Sequence, residues 1–311
     1  MEQNNGTVVT EFILLGFAGQ HRSWHILFAA FLVIYMATLV TNTGMILLIQ
    51  MDPALHTPMY FFLQHLALVD LCYSSAITPK MLQNFVSKNQ FISFTGCLVQ
   101  LLVYAVFITS DGFILASMAV DRYAAICKPL RYPVIMSQRA CVQLLLGSYI
   151  MGFLNASVNT SLTFSLDFCK SHSINHFFCD VPPILALSCS SIDFNIMVLT
   201  VFVGFNLTLI FSVVISSYTN ILAAILRISS AAGRRKAFST CTSHLTAVTI
   251  FIGTLAYMYI FHGTNRSQEQ EKVASLFYGI VIPLLNPLIY SLRNQDVIAA
   301  IRHMGTKCFS T

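Results

Sequence analysis

Charge is what this chain has least of. Of its 311 residues, 9% are Asp, Glu, Lys or Arg, where a soluble domain carries about 25%. Twelve acids and seventeen bases cannot cover the surface of a water-soluble globule of this length. The composition therefore excludes a disordered tail, a coiled coil, a disulfide-held miniprotein and a soluble enzyme. The motifs of enzyme chemistry are missing too. There is no HExxH, GxSxG, P-loop or dinucleotide-binding glycine fingerprint, and the nine His show no metal-ligand spacing. Long internal repeats, low-complexity tracts and an attached soluble domain are also absent. What is there is apolar: 56% hydrophobic residues, with 25 Phe and 12 Tyr, and a mean hydropathy of +0.72. The solvent of this chain is mostly lipid.

Seven stretches are long enough to cross a bilayer, which takes about 20 mostly apolar residues. They run from Ile26 to Ile49, Pro58 to Ala76, Phe94 to Val120, Ala140 to Phe164, Phe194 to Leu226, Phe238 to Phe261 and Val273 to Leu292. The second contains one charge, Asp70, the third contains one, Asp111, and the others contain none. Segments of this length cross as helices, because each must satisfy its own backbone polar groups in lipid; the alternating ten-residue strands of a barrel are not found. The reading is an all-α membrane protein, a bundle of seven transmembrane helices. The first 23 residues are polar and irregular. The apolar run from Phe12 to Phe17 is too short for a secretory signal and has no basic residue before it, so span one is expected to act as its own insertion signal.

Lys and Arg set the orientation. One set of connecting segments holds Arg122, Lys128, Arg131, Arg139, Arg227, Arg234, Arg235, Lys236, Arg293, Arg302 and Lys307. The other holds Arg22, Lys80, Lys88, Lys170, Arg266 and Lys272. The richer set faces the cytoplasm, which puts the N-terminus outside and the C-terminus inside. Basic residues beside spans set topology and meet anionic lipid, so no nucleic-acid partner is expected. Among nine Cys, Cys97, Cys169, Cys179 and Cys189 fall on the outer, oxidising side, where four thiols pair in three ways. Three of them lie in the long segment Ser165 to Asp193, which two bridges would fix as a lid over the bundle mouth. Asn5-Gly6-Thr7 is an outward glycosylation sequon; the sequons at Asn155 and Asn206 lie in spans and should be silent.

A charged side chain at mid-membrane costs roughly 2.5–3.5 kcal/mol on insertion scales. Asp70 lies about 18 Å from the inner face along span two, and Asp111 about 16 Å along span three, at 1.5 Å per residue. The two carboxylates reach similar depth, near Asn42 and Asn286 of spans one and seven. Such a pair shares a proton, holds a small hard cation such as sodium, or forms a hydrogen-bonded plug that specifies packing. Asp121-Arg122 closes span three at the inner face, where a cytoplasmic partner can engage it. Pro283 and Pro287 free backbone carbonyls in span seven and permit a hinge.

Four motifs, in order and at the right spans, carry a family resemblance. They are Leu55-His56-Thr57-Pro58-Met59-Tyr60-Phe61-Phe62-Leu63, Met118-Ala119-Val120-Asp121-Arg122-Tyr123, Lys236-Ala237-Phe238-Ser239-Thr240-Cys241-Thr242-Ser243-His244-Leu245, and Pro283 through Asn294. With them the chain resembles rhodopsin-like G-protein-coupled receptors, and among these the odorant (olfactory) receptors. The resemblance implies an extracellular N-terminus over 1–25, a receptor domain over 26–292 with its long outer loop at 165–193, and a short cytoplasmic amphipathic helix and tail over 293–311. It implies bridges Cys97–Cys179 and Cys169–Cys189 and a sodium ion as allosteric ligand at Asp70, Asp111, Asn42 and Asn286. It makes Asp121, Arg122, Tyr218 and Tyr290 the activation switch, with Arg122 meeting a heterotrimeric G protein of the olfactory, stimulatory type that raises cyclic AMP. It implies the plasma membrane of olfactory cilia. The chain departs from the family pattern at Thr41 (usually Gly), Val120 (usually Tyr), Asp111 (commonly Glu) and Ile252 (usually an aromatic residue).

By family position the ligand pocket is lined by Tyr104, Ala105, Ile108, Thr109, Phe202, Asn206, Ile252, Leu255, Tyr259 and Gly279. The set contains no charge. An amine would need a carboxylate there and an acid would need a base, so the expected ligand is small, neutral and mostly apolar. One or two hydrogen bonds from Tyr104, Thr109, Asn206 or Tyr259 would orient it. Two other readings stay open: a receptor of the same fold for a non-odorant metabolite, and a transporter or channel.

Overall fold

The computed structural model of the chain describes residues 9–17, 24–87, 90–169, 171–227, 230–259, 268–293 and 295–308. Seven long helices follow in order: α1 (Trp24–Met51), α2 (Pro58–Val86), α3 (Phe94–Cys127), α4 (Gln138–Phe164), α5 (Asp193–Leu226), α6 (Ala231–Tyr259) and α7. The last has two α segments, Gln268–Leu276 and Ile282–Arg293, joined by a π turn at Phe277–Val281. A shorter α8 spans Gln295–Cys308. All seven long helices are long and apolar enough to cross a membrane. Their outward faces carry large apolar side chains such as Val33, Phe153, Val201 and Phe205, a pattern that suits lipid and would aggregate in water.

Local chemistry sets the helix ends. Pro58 opens α2 at a position where its missing N–H costs nothing, and the preceding Leu55 is fully buried. Ser93 caps α3 by accepting the Gly96 N–H at 3.0 Å, and Ser137 caps α4 through the Ala140 N–H at 3.4 Å. At 34 residues, α3 is about 51 Å long. It exceeds the roughly 30 Å apolar core of a bilayer, so its ends reach both faces. It packs at the centre of the bundle against α2, α4 and α5. Gly152 lets α4 touch α3: a methyl group there would collide with Val106 O and Ser110 Oγ.

Two prolines explain the break in α7. Pro287 has no N–H, so the carbonyl of Pro283 loses its helical partner. Asn42 of α1 donates Nδ2–H to that carbonyl at 2.9 Å and ties the hinge to its neighbour. The π turn lies immediately before Pro283, and its closing bond runs from Ile282 N–H to Phe277 O. After α7, α8 packs against the end of α7 and the turn between α1 and α2, with Val297 and Ala300 buried, and His303 lies 3.9 Å from Asp52 beside that turn.

The N-terminal segment is not wholly irregular. Glu11–Leu14 forms β1, which pairs antiparallel with β2 (Phe91–Ser93) and parallel with β3 (Ser173–Ile174). Phe12 and Leu14 point inward and are fully buried; the Phe12 ring meets Phe94 at 6.0 Å and Phe168 at 5.6 Å. Gly16, with φ +52°, supplies the left-handed turn that ends the strand. Both disulfides of this layer, Cys97–Cys179 and Cys169–Cys189, are present, with Cα separations of 5.6 and 5.8 Å. Asn5 lies outside the described residues.

Candidate functional site

The loop between α4 and α5 forms a roof over one end of the bundle. The Cys97–Cys179 bridge pins it to the start of α3, and Gln100 reinforces the bond by accepting the Cys179 N–H at 2.9 Å while donating to Ala76 O at 2.8 Å. On the far side the roof is tied to α7. Tyr278 donates its O–H to Asp180 Oδ2 at 2.9 Å, and His176 Nε2 lies 3.0 Å from Ser275 Oγ. Burial lowers the His176 pKa to about 3, with the neighbouring Lys272 charge acting the same way, so the imidazole is neutral. Phe178 turns its ring onto Tyr104 at 5.2 Å and Tyr278 at 6.5 Å.

Beneath this roof lies a cavity of about 70 Å³ between α3, α4, α5 and α6. Of the ten expected lining residues it brings together Tyr104, Ala105, Ile108, Thr109, Asn206 and Leu255. Phe202 and Ile252 are half-buried but lie off the cavity wall. Gly279 faces α2, where an added methyl would meet Ile77 Cδ1 at 3.4 Å. The backbone of Tyr259 ends α6, and its side chain lies outside the described residues. The aromatic floor comes from Phe251, one residue and about 100° around the helix from Ile252. Asn155 and Asn159 of α4 enter the wall as well: Asn155 Nδ2 donates to Thr109 Oγ1 at 2.8 Å, and Asn159 Nδ2 donates to Asn155 Oδ1 at 3.1 Å.

The wall carries a charge, which the ten expected lining residues do not. Asp180, at 2% exposure, borders the cavity. It is placed there by the loop fold, where it caps the short helix Val181–Leu185, accepting the Val181 N–H at 2.8 Å. Its two carboxylate oxygens accept from Val181 and Tyr278. In this wall Asn206 Oδ1 is buried with no hydrogen-bond partner.

Deeper in the bundle, Asp70 and Asp111 are fully buried and act on each other electrostatically. Asn286 Nδ2 donates to both oxygens of Asp70 at 3.2 and 3.1 Å, and Tyr73 O–H donates to Asp70 Oδ1 at 3.0 Å. Asp111 has both carboxylate oxygens buried with no partner, and Asn42 Oδ1 is in the same state. Among the described residues no group of three or more His, Cys, Asp or Glu side chains could hold a metal ion; here the donors are two carboxylates and two amides.

At the opposite end of the bundle, Asp121 accepts the Tyr132 O–H at 2.8 Å. Burial and the Asp121 charge raise the Tyr132 pKa, so this phenol is a donor at any physiological pH. Tyr218 engages His244, with O–H to Nδ1 at 2.8 Å, while His244 Nε2 donates to Leu115 O at 3.0 Å. Because a carbonyl only accepts, Nε2 carries the proton and Nδ1 accepts from Tyr218. Arg122 Nη2 and Tyr290 O–H are buried without partners. Tyr132 and His244 were not foreseen in these roles. The His falls within the Lys236–Leu245 motif, but its partners come from two other helices, α3 and α5, and carry no local signal.

The sequence profile described as olfactory receptor matches residues 31–307. The chain is 62% identical to olfactory receptor 5AK2 of Homo sapiens over 309 residues, covering 99% of this chain and 100% of the relative. It is 63% identical to olfactory receptor 5AK3 of Homo sapiens, covering 95% and 99%. It is also 52% identical to olfactory receptor 5AP2 of Mus musculus, covering 97% and 95%.

Proposed function

This chain belongs to the olfactory receptor family, and on that premise we propose that it binds a small, neutral, mostly apolar volatile in the helix bundle and activates an olfactory-type stimulatory G protein to raise cyclic AMP. It is a multi-pass membrane protein and not an enzyme; odorant ligands and G-protein coupling in general come with the family. The finer reading rests chiefly on the mostly apolar cavity in whose wall the buried acceptor Asn206 Oδ1 has no partner. An unmade buried hydrogen bond costs about 1–3 kcal/mol, so a ligand donor that reaches this atom recovers that energy. Asp180 is occupied by two protein donors, which leaves no strong call for a cationic ligand and opposes an anionic one. The Lys and Arg distribution favours an outside N-terminus, with Asn5 available for a glycan, in the plasma membrane of olfactory cilia.

Activation is a population shift, driven by the ligand's higher affinity for the active bundle. Outward displacement of the inner end of α6 would open a cleft beside Arg122 for the G protein. It would also separate His244 from Leu115 and Tyr218, so that link acts as a brake. Asp121, Arg122, Tyr218 and Tyr290 form the switch. Asp70, Asp111, Asn42 and Asn286 suit a sodium ion: three of their oxygens are buried without partners, and hard oxygen donors favour such a cation. When bound, it supplies positive charge to the paired carboxylates. A cyclic-AMP reporter with a volatile panel tests the reading. A response lost in Arg122→Ala at equal surface level is expected; normal signalling by that variant overturns the switch assignment.

A further inference from the structure

The last turns of α2 carry an amide with no partner at either atom. Asn84 is buried, at 7% exposure, and both its Oδ1 and its Nδ2 lack a hydrogen bond. A helical asparagine can donate back to the carbonyl four residues earlier, as Asn42, Asn159 and Asn220 do at 2.9, 2.9 and 2.8 Å. Asn84 does not. Met81, Asn84 and Phe85 fall at i, i+3 and i+4, on one face of the helix, and line a small cavity closed by the end of β1 and by Phe177 of the loop between α4 and α5. The strand cannot satisfy the amide with its own donors, because the N–H groups of Leu14, Leu15 and Gly16 are committed to Gln90 O, Ile174 O and His176 O. Aromatic rings make up much of the wall. Phe17 stacks on Phe85 at 5.9 Å and on Phe177 at 5.7 Å, and half-buried Trp24 meets Phe85 at 6.1 Å. This cavity shares no lining residue with the deep one around Asn206. Phe177 packs on Phe178 at 5.0 Å, and Phe178 covers Tyr104 at 5.2 Å, so two rings stand between them.

We infer that the Asn84 cavity is a second small-molecule site, which takes the head of a neutral primary amide while a flat apolar body lies against the rings. A primary amide presents one acceptor and one donor along one edge, as Asn84 itself does. The two pair reciprocally: the ligand carbonyl accepts from Nδ2, and the ligand N–H donates to Oδ1. No Lys, Arg, His, Asp or Glu lines the cavity, so a charged head would be buried unpaired. A carboxylate also offers Oδ1 no donor. The rings favour a planar body, which meets them stacked or edge-on. The cavity is about 10 Å³, room for one water-sized group. It widens through Met81, an unbranched side chain that repacks readily. The inference does not depend on the deep cavity being the odorant site.

Hydrogen exchange of the full-length receptor in nanodiscs tests this without a known agonist, with benzamide as the probe. Benzamide should slow exchange in peptides covering residues 14–17 severalfold and saturably, because it braces the strand end against α2. Benzoate and N,N-dimethylbenzamide, which lack the N–H donor, should leave exchange there unchanged. The benzamide effect should survive in Asn206→Leu, which alters the deep cavity alone. It should vanish in Asn84→Leu, or in Asn84→Ala should the first variant fail to fold. No slowing by benzamide in the wild type leaves the cavity to an ordered water and overturns the site. Slowing that persists without the Asn84 amide, or that is lost in Asn206→Leu, places benzamide elsewhere and overturns it as well.

Discussion

Two glycines of α4 should respond to alanine with opposite signs. At Gly147 an added methyl meets nothing within 4 Å. Alanine there gains its helix-forming advantage over glycine, about 0.8–1 kcal/mol. At Gly152 the same methyl collides with Val106 O, a backbone atom of α3, and with Ser110 Oγ. The hydroxyl can rotate away, but the carbonyl cannot, so α4 must move off α3. Overpacking of this kind costs about 1–3 kcal/mol. Three residues on, and on the same face of α4, Asn155 donates to Thr109 at 2.8 Å, and losing that bond adds about 0.5–1.5 kcal/mol. After the helix gain is subtracted, Gly152→Ala should destabilise by about 0.5–3.7 kcal/mol, while Gly147→Ala should be neutral or stabilising. Thermal unfolding of the purified receptor in one detergent, wild type beside both variants, reads the difference directly. A midpoint lowered by Gly152→Ala and held or raised by Gly147→Ala is expected. If both alanines raise it, the close approach of α3 and α4 that shapes the cavity wall is wrong.

Three further outcomes follow from the outer layer and the buried carboxylates. The fold keeps His176 neutral with a pKa of about 3 against an ordinary 6.5, so the unfolded chain takes up its proton first. The resulting stability is present above about pH 6.5 and is lost as pH falls toward 3; the melting temperature should drop less steeply between about pH 7.5 and pH 5 in His176→Gln than in wild type. The Cys169–Cys189 bridge closes a separation of 20 residues, worth about 3 kcal/mol of loop entropy. The double Ser variant should show faster hydrogen exchange across the outer loop, and unchanged exchange would refute that role. Replacing choline by sodium should raise the melting temperature of wild type and leave Asp111→Asn unmoved; equal responses would remove Asp111 from the cation site.

The seven spans were legible because uncharged apolar runs are a local property. Their ends were less so. The expected span two stopped at Ala76, yet α2 continues through Pro79 to Val86, because hydropathy reports the length in lipid and not the length of the helix. The strand at Glu11–Leu14 was hidden because its partners are 80 and 160 residues away in sequence. The cavity wall and the expected pocket set overlap in part. Tyr104, Thr109 and Asn206 fall where family position puts them, whereas Phe251 replaces Ile252 and Gly279 turns toward Ile77. A one-residue error moves a side chain by about 100° around a helix. Asp180 had no periodic signal at all: its place depends on a loop held by two disulfides and by Tyr278.

On the proposed function, a neutral ligand is held at Asn206 in the deep cavity and read out through the G protein. A cyclic-AMP reporter challenged with matched volatile alcohols and carboxylic acids tests it most directly. Responses to alcohols and not to the matched acids are predicted, with potency reduced about fivefold to a hundredfold in Asn206→Leu, the equivalent of about 1–3 kcal/mol. Responses to acids, or alcohol responses of unchanged potency in Asn206→Leu at equal surface level, would exclude a neutral ligand bonded to Asn206.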